Sequence, residues 1–193
     1  YQLCDLNGSL TDVSIPHTGH VLAVDDQGYV LCQYPVTRTV RTDSGTMPYT
    51  FHQYTLLGLD FTVLQDGIDQ YYNVGQYDYS CDSELFYNGL VAVRVGATDW
   101  YRPDGGPWPR LYFNSKYMFI DHSGKTVSSS RYDEVSHEND RWFGCHGTTE
   151  YLLDSNGNER EQANYCYVPS TWAENIVEQA EKDGLRLSYH TPY

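Results

Sequence analysis

The sequence has little positive charge and no long apolar run. Lys and Arg number 12 against 26 Asp and Glu, which gives a formal net charge of −14 at pH 7. Nucleic acids and anionic membrane surfaces bind proteins that carry clustered cations. The charge balance therefore argues against nucleic acid as a partner. No stretch approaches the ~20 apolar residues that a membrane-spanning helix needs, so we also predict no membrane insertion.

The short motifs of common enzyme classes are also missing. The chain contains no G-x-S-x-G, no G-x-G-x-x-G and no phosphate-binding loop, which are the motifs that position a nucleophile or a nucleotide. Carboxylates are so numerous that any pair chosen as glycosidase acid and nucleophile would be arbitrary. We predict a protein that is not an enzyme and that binds no cofactor.

The five cysteines do not form any C-x-x-C pair, which argues against a zinc knuckle or a thioredoxin-like site. Their odd number leaves at least one thiol unpaired within the chain. Most have apolar or aromatic neighbours, which favours small buried side chains. A disulfide such as Cys145–Cys166 is the alternative.

Turn sequences are frequent instead. Two apolar residues followed by Asp-x-x-Gly occur four times. Asp at the first position of a turn accepts a hydrogen bond from the backbone two residues on, and Gly at the fourth position takes a left-handed conformation. Each match predicts a hairpin with a bulged turn. The structural turn residues are Asp5, Gly8, Asp25, Gly28, Asp121, Gly124, Asp154 and Gly157.

A second pattern indicates that these hairpins belong to a repeat. Gly89 and Gly144 each lie twelve residues after the Tyr of a Tyr-Asp pair, and an extended stretch follows both. Asp121 and Asp154 are 33 residues apart, a spacing typical of small stacked units. The period is blurred between Asp25 and Asp121, where residues 96–111 form a predicted insertion rich in Pro, Gly and Trp.

In residues 86–135, Phe86, Gly89, Leu90 and Val93 precede "KYMFIDHSGKTV" and the Tyr132-Asp133 pair. This order resembles the WG (KWG) repeat of bacterial proteins. Weaker matches cover 1–35 and 142–160, and other residues stand where the repeat has its Trp-Gly pair. The resemblance implies successive small β units, a bacterial source and no catalytic residues.

The C-terminal segment has a different pattern. Thr171 and Glu174 form a capping box, apolar residues follow at helical spacing, and Gly184 is a stop signal. We predict a helix over 171–183. It is similar to the opening helix of an S-layer homology module. The sequence ends at Tyr193, before the segment that follows this helix in such a module. The alternative is a helix that caps the repeat array. The predicted domains are a β-repeat domain at 1–168 and a helix with a tail at 169–193.

Three short motifs contain residue types that bind metals or act in catalysis. "HTGH" (17–20) places two histidines three residues apart in a loop and lacks a third ligand, so an exposed loop is favoured over a metal site. "GCHG" (144–147) places Cys145 and His146 on opposite faces of a strand, which disfavours a Cys–His pair. "DSNGNERE" (154–161) lacks the Gly and Glu positions of a calcium loop and predicts a hairpin turn.

The insertion is the best candidate for binding. It contains Trp100, Tyr101, Arg102, Trp108 and Arg110 among Pro and Gly residues. Exposed Trp rings in a stiff loop would stack on sugar rings or anchor a protein partner, with the arginines as planar hydrogen-bond donors. The alternative, which is favoured, is that the loop folds back and its rings cover a strand face.

Together these patterns predict a mainly β fold of successive antiparallel hairpin repeats, with one C-terminal α-helix. Nineteen tyrosines against two methionines also favour strands. We expect a non-catalytic, extracellular or cell-surface binding or spacer module of a larger bacterial protein, with a glycan or protein partner. The alternative is a secreted carbohydrate-active or peptide hydrolase that uses carboxylate or Cys/His catalysis.

Overall fold

The computed structural model describes residues 2–4, 7–12, 16–17, 19–72, 84–104 and 111–165, which form fourteen strands in three sheets. The small sheet is β1 (Gln2–Cys4) and β2 (Leu10–Asp12). The large sheet contains β3 (His20–Val24), β4 (Val30–Thr42), β5 (Gly45–Leu57), β6 (Val63–Tyr71), β7 (Leu90–Val95), β8 (Trp100–Tyr101), β9 (Tyr112–Phe113) and β10 (Tyr117–Asp121). The third sheet contains β11 (Glu134–Glu138), β12 (Arg141–His146), β13 (Thr149–Leu153) and β14 (Glu159–Tyr165).

A long hairpin lies at the centre of the eight-stranded sheet. Strands β4 and β5 are 13 residues each and pair antiparallel from Val30↔Leu57 to Thr42↔Gly45. The strand order is β10-β7-β6-β5-β4-β8-β9, and β3 also pairs with β4. Strands β3 and β8 share the outer edge of β4, because β3 pairs with its beginning and β8 only with Arg41 near its end. The tip of the long hairpin therefore has the short β8–β9 pair as its neighbour.

Strands β7 and β10 are buried on both faces. Met118 and Ile120 of β10 belong to one core cluster, which also contains Leu31, Leu56 and Ile68. Tyr117 and Phe119, the alternate residues of β10, belong to a second cluster that the four-stranded sheet covers. Successive side chains of a strand point to opposite faces, so a strand with a core on each side is apolar throughout. This explains the nearly continuous apolar runs "LVAV" and "YMFI".

Tyr132 joins the large sheet to the four-stranded sheet. Its side chain is fully buried, and its hydroxyl donates a 2.9 Å hydrogen bond to the Gly157 carbonyl. Its backbone exchanges two hydrogen bonds with Tyr117 at the start of β10. A Cβ atom at Gly144 would lie 2.4 Å from the Tyr132 ring, so only glycine lets β12 approach this closely. Trp142 adds a further contact between the sheets, because its Nε1 donates a hydrogen bond to the Tyr87 carbonyl.

Three Asp-x-x-Gly segments share one hydrogen-bond pattern. The Oδ1 atoms of Asp25, Asp121 and Asp154 each accept hydrogen bonds from the backbone N–H groups two and four residues later, at 2.8–3.1 Å. The Gly N–H donates to the Asp carbonyl in each, and φ at these glycines is positive, from +70° to +95°. Gly8 of the fourth segment also has positive φ, whereas Asp5 lies outside the described residues.

The predicted fold class requires correction. Among the residues that the structure describes there are strands and turns but no helix, and the predicted helix at 171–183 lies outside those residues. The large sheet is also not a succession of short equal hairpins, because the 13-residue strands dominate it. The described residues likewise contain no helix that is long and apolar enough to cross a membrane.

We predict that Gly124→Ala destabilises the protein more than Gly96→Ala does. Both glycines have φ near +75°, which costs an L-residue about 1–2 kcal/mol. A Cβ at Gly124 would also lie 2.7 Å from the Leu64 carbonyl oxygen, whereas nothing lies within 4 Å at Gly96. Overpacking adds about 1–3 kcal/mol. Urea unfolding of both variants measures the difference, and equal losses would contradict the close approach.

Candidate functional site

Hydrogen bonds join the tip of the β4–β5 hairpin, residues 41–44, to residues 101–104, which include the end of β8. The Tyr101 hydroxyl donates to Asp43 Oδ1, and Asp43 Oδ2 accepts the Asp104 N–H at 3.0 Å. In return Asp104 Oδ2 accepts the Ser44 N–H at 2.9 Å. Arg102 N–H donates to the Arg41 carbonyl at 2.9 Å. These reciprocal bonds fix residues 101–104 against the hairpin tip, although the two segments are far apart in the sequence.

Side-chain alternation along β8 divides the aromatic segment between two faces. Trp100 packs against Phe51 with ring centroids 6.0 Å apart, and the Arg102 guanidinium lies 5.2 Å from the Tyr49 ring. Phe51 and Tyr49 are two residues apart on β5 and so share a face. Tyr101 points the other way, towards Arg41. Trp100 and Arg102 therefore cover one face of the hairpin, and Tyr101 belongs to the opposite face.

On that opposite face lies a pocket of about 410 Å³, which we call the aromatic pocket. Its volume falls within the range of about 300–1,000 Å³ that is usual for small-molecule sites. Tyr101 and Tyr112 are paired on neighbouring strands with ring centroids 6.3 Å apart and planes at 31°. The lining residues are Arg41, Asp99, Tyr101, Pro103, Tyr112, Phe113 and Asn114.

Opposite charges in the aromatic pocket cancel within one ion pair. Arg41 donates from Nε and Nη2 to the two Asp99 oxygens at 2.8 and 2.6 Å, in a bidentate arrangement. The hydrogen bonds from Arg41 lower the pKa of Asp99 below its usual value, so this carboxyl is ionised at neutral pH. The Tyr101 hydroxyl lowers the pKa of Asp43 in the same way. Asn114 fixes the backbone around Asp99, because its Oδ1 accepts the N–H groups of Thr98 and Asp99.

The predicted ligand-binding residues are thus separated by the structure. Tyr101 lines the aromatic pocket, whereas Trp100 and Arg102 are absent from its lining and pack on the other face of the hairpin. Trp108 and Arg110 lie outside the described residues. Arg41, Asp99 and Pro103 were not predicted. Strict alternation through "DWYR" would have placed Asp99 beside Tyr101, but no sequence signal connects Arg41 to this segment.

The HTGH loop forms a separate polar cluster on the sheet. His17 stacks on Tyr34 with ring centroids 4.0 Å apart, and its Nε2 lies 3.0 Å from Asp66 Oδ2. Asp66 Oδ1 accepts the Thr55 hydroxyl at 2.6 Å. Burial, with the Asp66 charge, raises the pKa of Tyr34 to about 12. No group of three or more His, Cys, Asp or Glu side chains suited to a metal ion occurs in the described part of the chain.

Cys32 and Cys145 are buried, and His146 makes a polar contact. Cys145 is disulfide-bonded, and Cys32 is a free, fully buried thiol whose pKa is raised by burial. Cys145 is buried, as the sequence predicts, and it also takes part in a disulfide, which was the alternative interpretation. Its pairing with Cys166 stays a prediction. His146 Nε2 lies 2.8 Å from Glu159 Oε1. Neither Cys32 nor Cys145 is therefore available as a nucleophile.

In comparisons with known proteins, no family model matches this chain, and neither the curated proteins nor the solved structures gave a significant match. The resemblance to the WG repeat stays a prediction.

The aromatic pocket should be stable to mild acid and lose its geometry only below about pH 4. Asp43 and Asp99 have folded pKa values below the unfolded value of about 3.9. The contribution of these two carboxylates to the free energy of unfolding is thus fully present above the unfolded pKa, and it is lost as the pH falls through the folded pKa. Amide hydrogen exchange of residues 99–104, measured from pH 8 down to 3 after correction for the intrinsic rate, tests this. Loss of protection already above pH 5 would contradict it.

We predict that iodoacetamide labels neither Cys32 nor Cys145 in the native protein. Cys32 is buried, and Cys145 has no free thiol. After reduction under native conditions Cys145, which is 7% exposed, should react only slowly, while Cys32, which is fully buried, needs unfolding before it reacts. Mass spectrometry of tryptic peptides distinguishes the three states. Labelling of Cys145 without reductant would rule out its disulfide.

Proposed function

We propose that this chain is a non-catalytic binding module of an extracellular or cell-surface bacterial protein, and that a glycan or a protein partner binds in the aromatic pocket. The observation that carries the proposal is a pocket with fixed aromatic walls whose ion pair is satisfied internally. Such walls give contact area at little cost in side-chain entropy, because Tyr101 and Arg41 are held in place before a ligand arrives.

The chemistry of the aromatic pocket supports binding over hydrolysis. Acid–base cleavage of a glycoside requires two carboxyl groups, of which one is protonated at working pH. Asp99 is the one carboxylate among the described residues that line the pocket, and Arg41 lowers its pKa. Cys/His catalysis at Cys145 would need the thiol that its disulfide occupies.

Two further observations support an extracellular setting. Structural disulfides persist mainly in oxidising compartments, and Cys145 is disulfide-bonded. The net charge of −14 fits a protein that stays soluble outside the cell. The bacterial source rests on the resemblance to the WG repeat.

Binding arrays test this function. The purified chain is applied to immobilised glycans and to immobilised bacterial and host surface proteins, beside Tyr112→Ala in the pocket and Trp100→Phe outside it. We expect at least one glycan or protein to retain the wild type and Trp100→Phe but to lose about tenfold or more in affinity for Tyr112→Ala. Trp100→Phe is a suitable control, because Trp100 Nε1 has no hydrogen-bond partner among the described residues.

The same glycans and proteins are then incubated with the chain and examined by chromatography and mass spectrometry. A binding module leaves them intact. Release of shortened products by the wild type, or retention that is equal for wild type and Tyr112→Ala, would overturn the proposal.

A further inference from the structure

Tyr112 offers the free stacking surface of the aromatic pocket. The Arg41 guanidinium lies 5.7 Å from the Tyr101 ring. Phe113 is paired with Trp100 and so shares its face, whereas Tyr101 is paired with Tyr112. Of the two tyrosine rings of the pocket, Tyr101 therefore already has a cation near it. In the part of the chain that the structure describes, no such cation lies at Tyr112. A flat apolar group that enters the pocket would find its contact at Tyr112.

The charge arrangement disfavours an ionic ligand. An anion would have to compete with Asp99 for Arg41, which already donates to it at 2.6 and 2.8 Å. A cation would approach the Arg41 guanidinium and would find Asp99 already neutralised. Because this ion pair is about half exposed, its partners keep part of their hydration, and an incoming charge gains little from either.

Polar groups at the edge of the pocket also disfavour a pure hydrocarbon. Arg41, Asp99 and Asn114 lie beside Tyr101, Tyr112 and Pro103 in the lining of the pocket. A ligand without hydrogen-bonding groups would remove water from the ion pair and would not replace the hydrogen bonds that this water made. The site therefore fits a molecule with one apolar face and a polar edge, at zero net charge.

We infer that the aromatic pocket binds an uncharged sugar ring, stacked by its C–H face on Tyr112, with ring hydroxyls at the Arg41–Asp99 pair. This inference rests on the proposed function and specifies its ligand class. A pyranose has the required geometry, since its hydroxyls project from the edge while its axial hydrogens form an apolar face. The planar guanidinium and carboxylate present donors and acceptors side by side, which suits vicinal hydroxyls.

Titrations with small sugars test the inference. The probes are methyl glycosides of neutral hexopyranoses and their disaccharides, the corresponding uronic acid and amino sugar, and a library of short peptides, followed by saturation-transfer NMR and calorimetry. We expect neutral sugars to bind better than either charged form. Tyr112→Ala should weaken binding about tenfold or more, and Tyr112→Phe should retain it, since stacking needs only the ring. Trp100→Phe should be unchanged, and circular dichroism verifies that each variant folds.

Asp99→Asn provides a second, independent readout. It leaves Arg41 without its counter-charge, so the preference should shift towards the uronic acid by about twofold to fivefold at low salt. An unchanged preference would show that Arg41 does not contact the sugar and would overturn the inference.

The remaining outcomes separate this inference from the proposed function. Peptide binding that Tyr112→Ala abolishes, with no sugar bound, would overturn the sugar assignment and leave the binding module in place. Tighter binding of a charged sugar by the wild type would also overturn it. If no glycan, protein, peptide or sugar binds in a manner that depends on Tyr112, both proposals fail.

Discussion

The requirement that β7 and β10 be apolar on both faces governs the rest of the structure. One face of this strand pair closes the core of the large sheet, and the other receives the four-stranded sheet. Burial of apolar surface contributes about 25 cal/mol for each Å² removed from water, so a strand with a core on each side contributes twice. Tyr132 and Gly144 allow the four-stranded sheet to pack closely on this pair. The Tyr132 ring occupies the space that a Cβ atom at residue 144 would fill.

The turns could be predicted from the sequence because their chemistry is local. The Asp carboxylate, its two N–H donors and the glycine that follows all lie within five residues, as at Asp121 and Asp154. The sheets could not be predicted in the same way. Pairing of β6 with β7 across a gap in the described chain, and of β8 with β4 at Arg41, depends on contacts between distant segments. The Asp-x-x-Gly repeat therefore located the turns at Asp25, Asp121 and Asp154 but misrepresented the sheet as equal units.

The site shows the same division between local and distant information. The aromatic segment could be identified because Pro, Gly and aromatic residues cluster in 96–111. Its division between two faces was implicit in the order Asp99, Trp100, Tyr101, Arg102, since alternate residues of a strand point the same way. Arg41 could not be identified, because it reaches Asp99 only through the length and register of the β4–β5 hairpin. A strand two residues shorter would end before this arginine.

Internal neutralisation of Arg41 by Asp99 has a consequence for the kinetics of association. An ion pair without net charge adds no long-range attraction for a charged ligand, and an uncharged ligand reaches the site by unassisted diffusion. The acidic remainder of the molecule neither attracts nor repels such a ligand, and changes in ionic strength leave the encounter rate unaltered. Discrimination then arises after contact, through the lifetime of the complex. A module of this kind would perform equally in dilute and in saline surroundings.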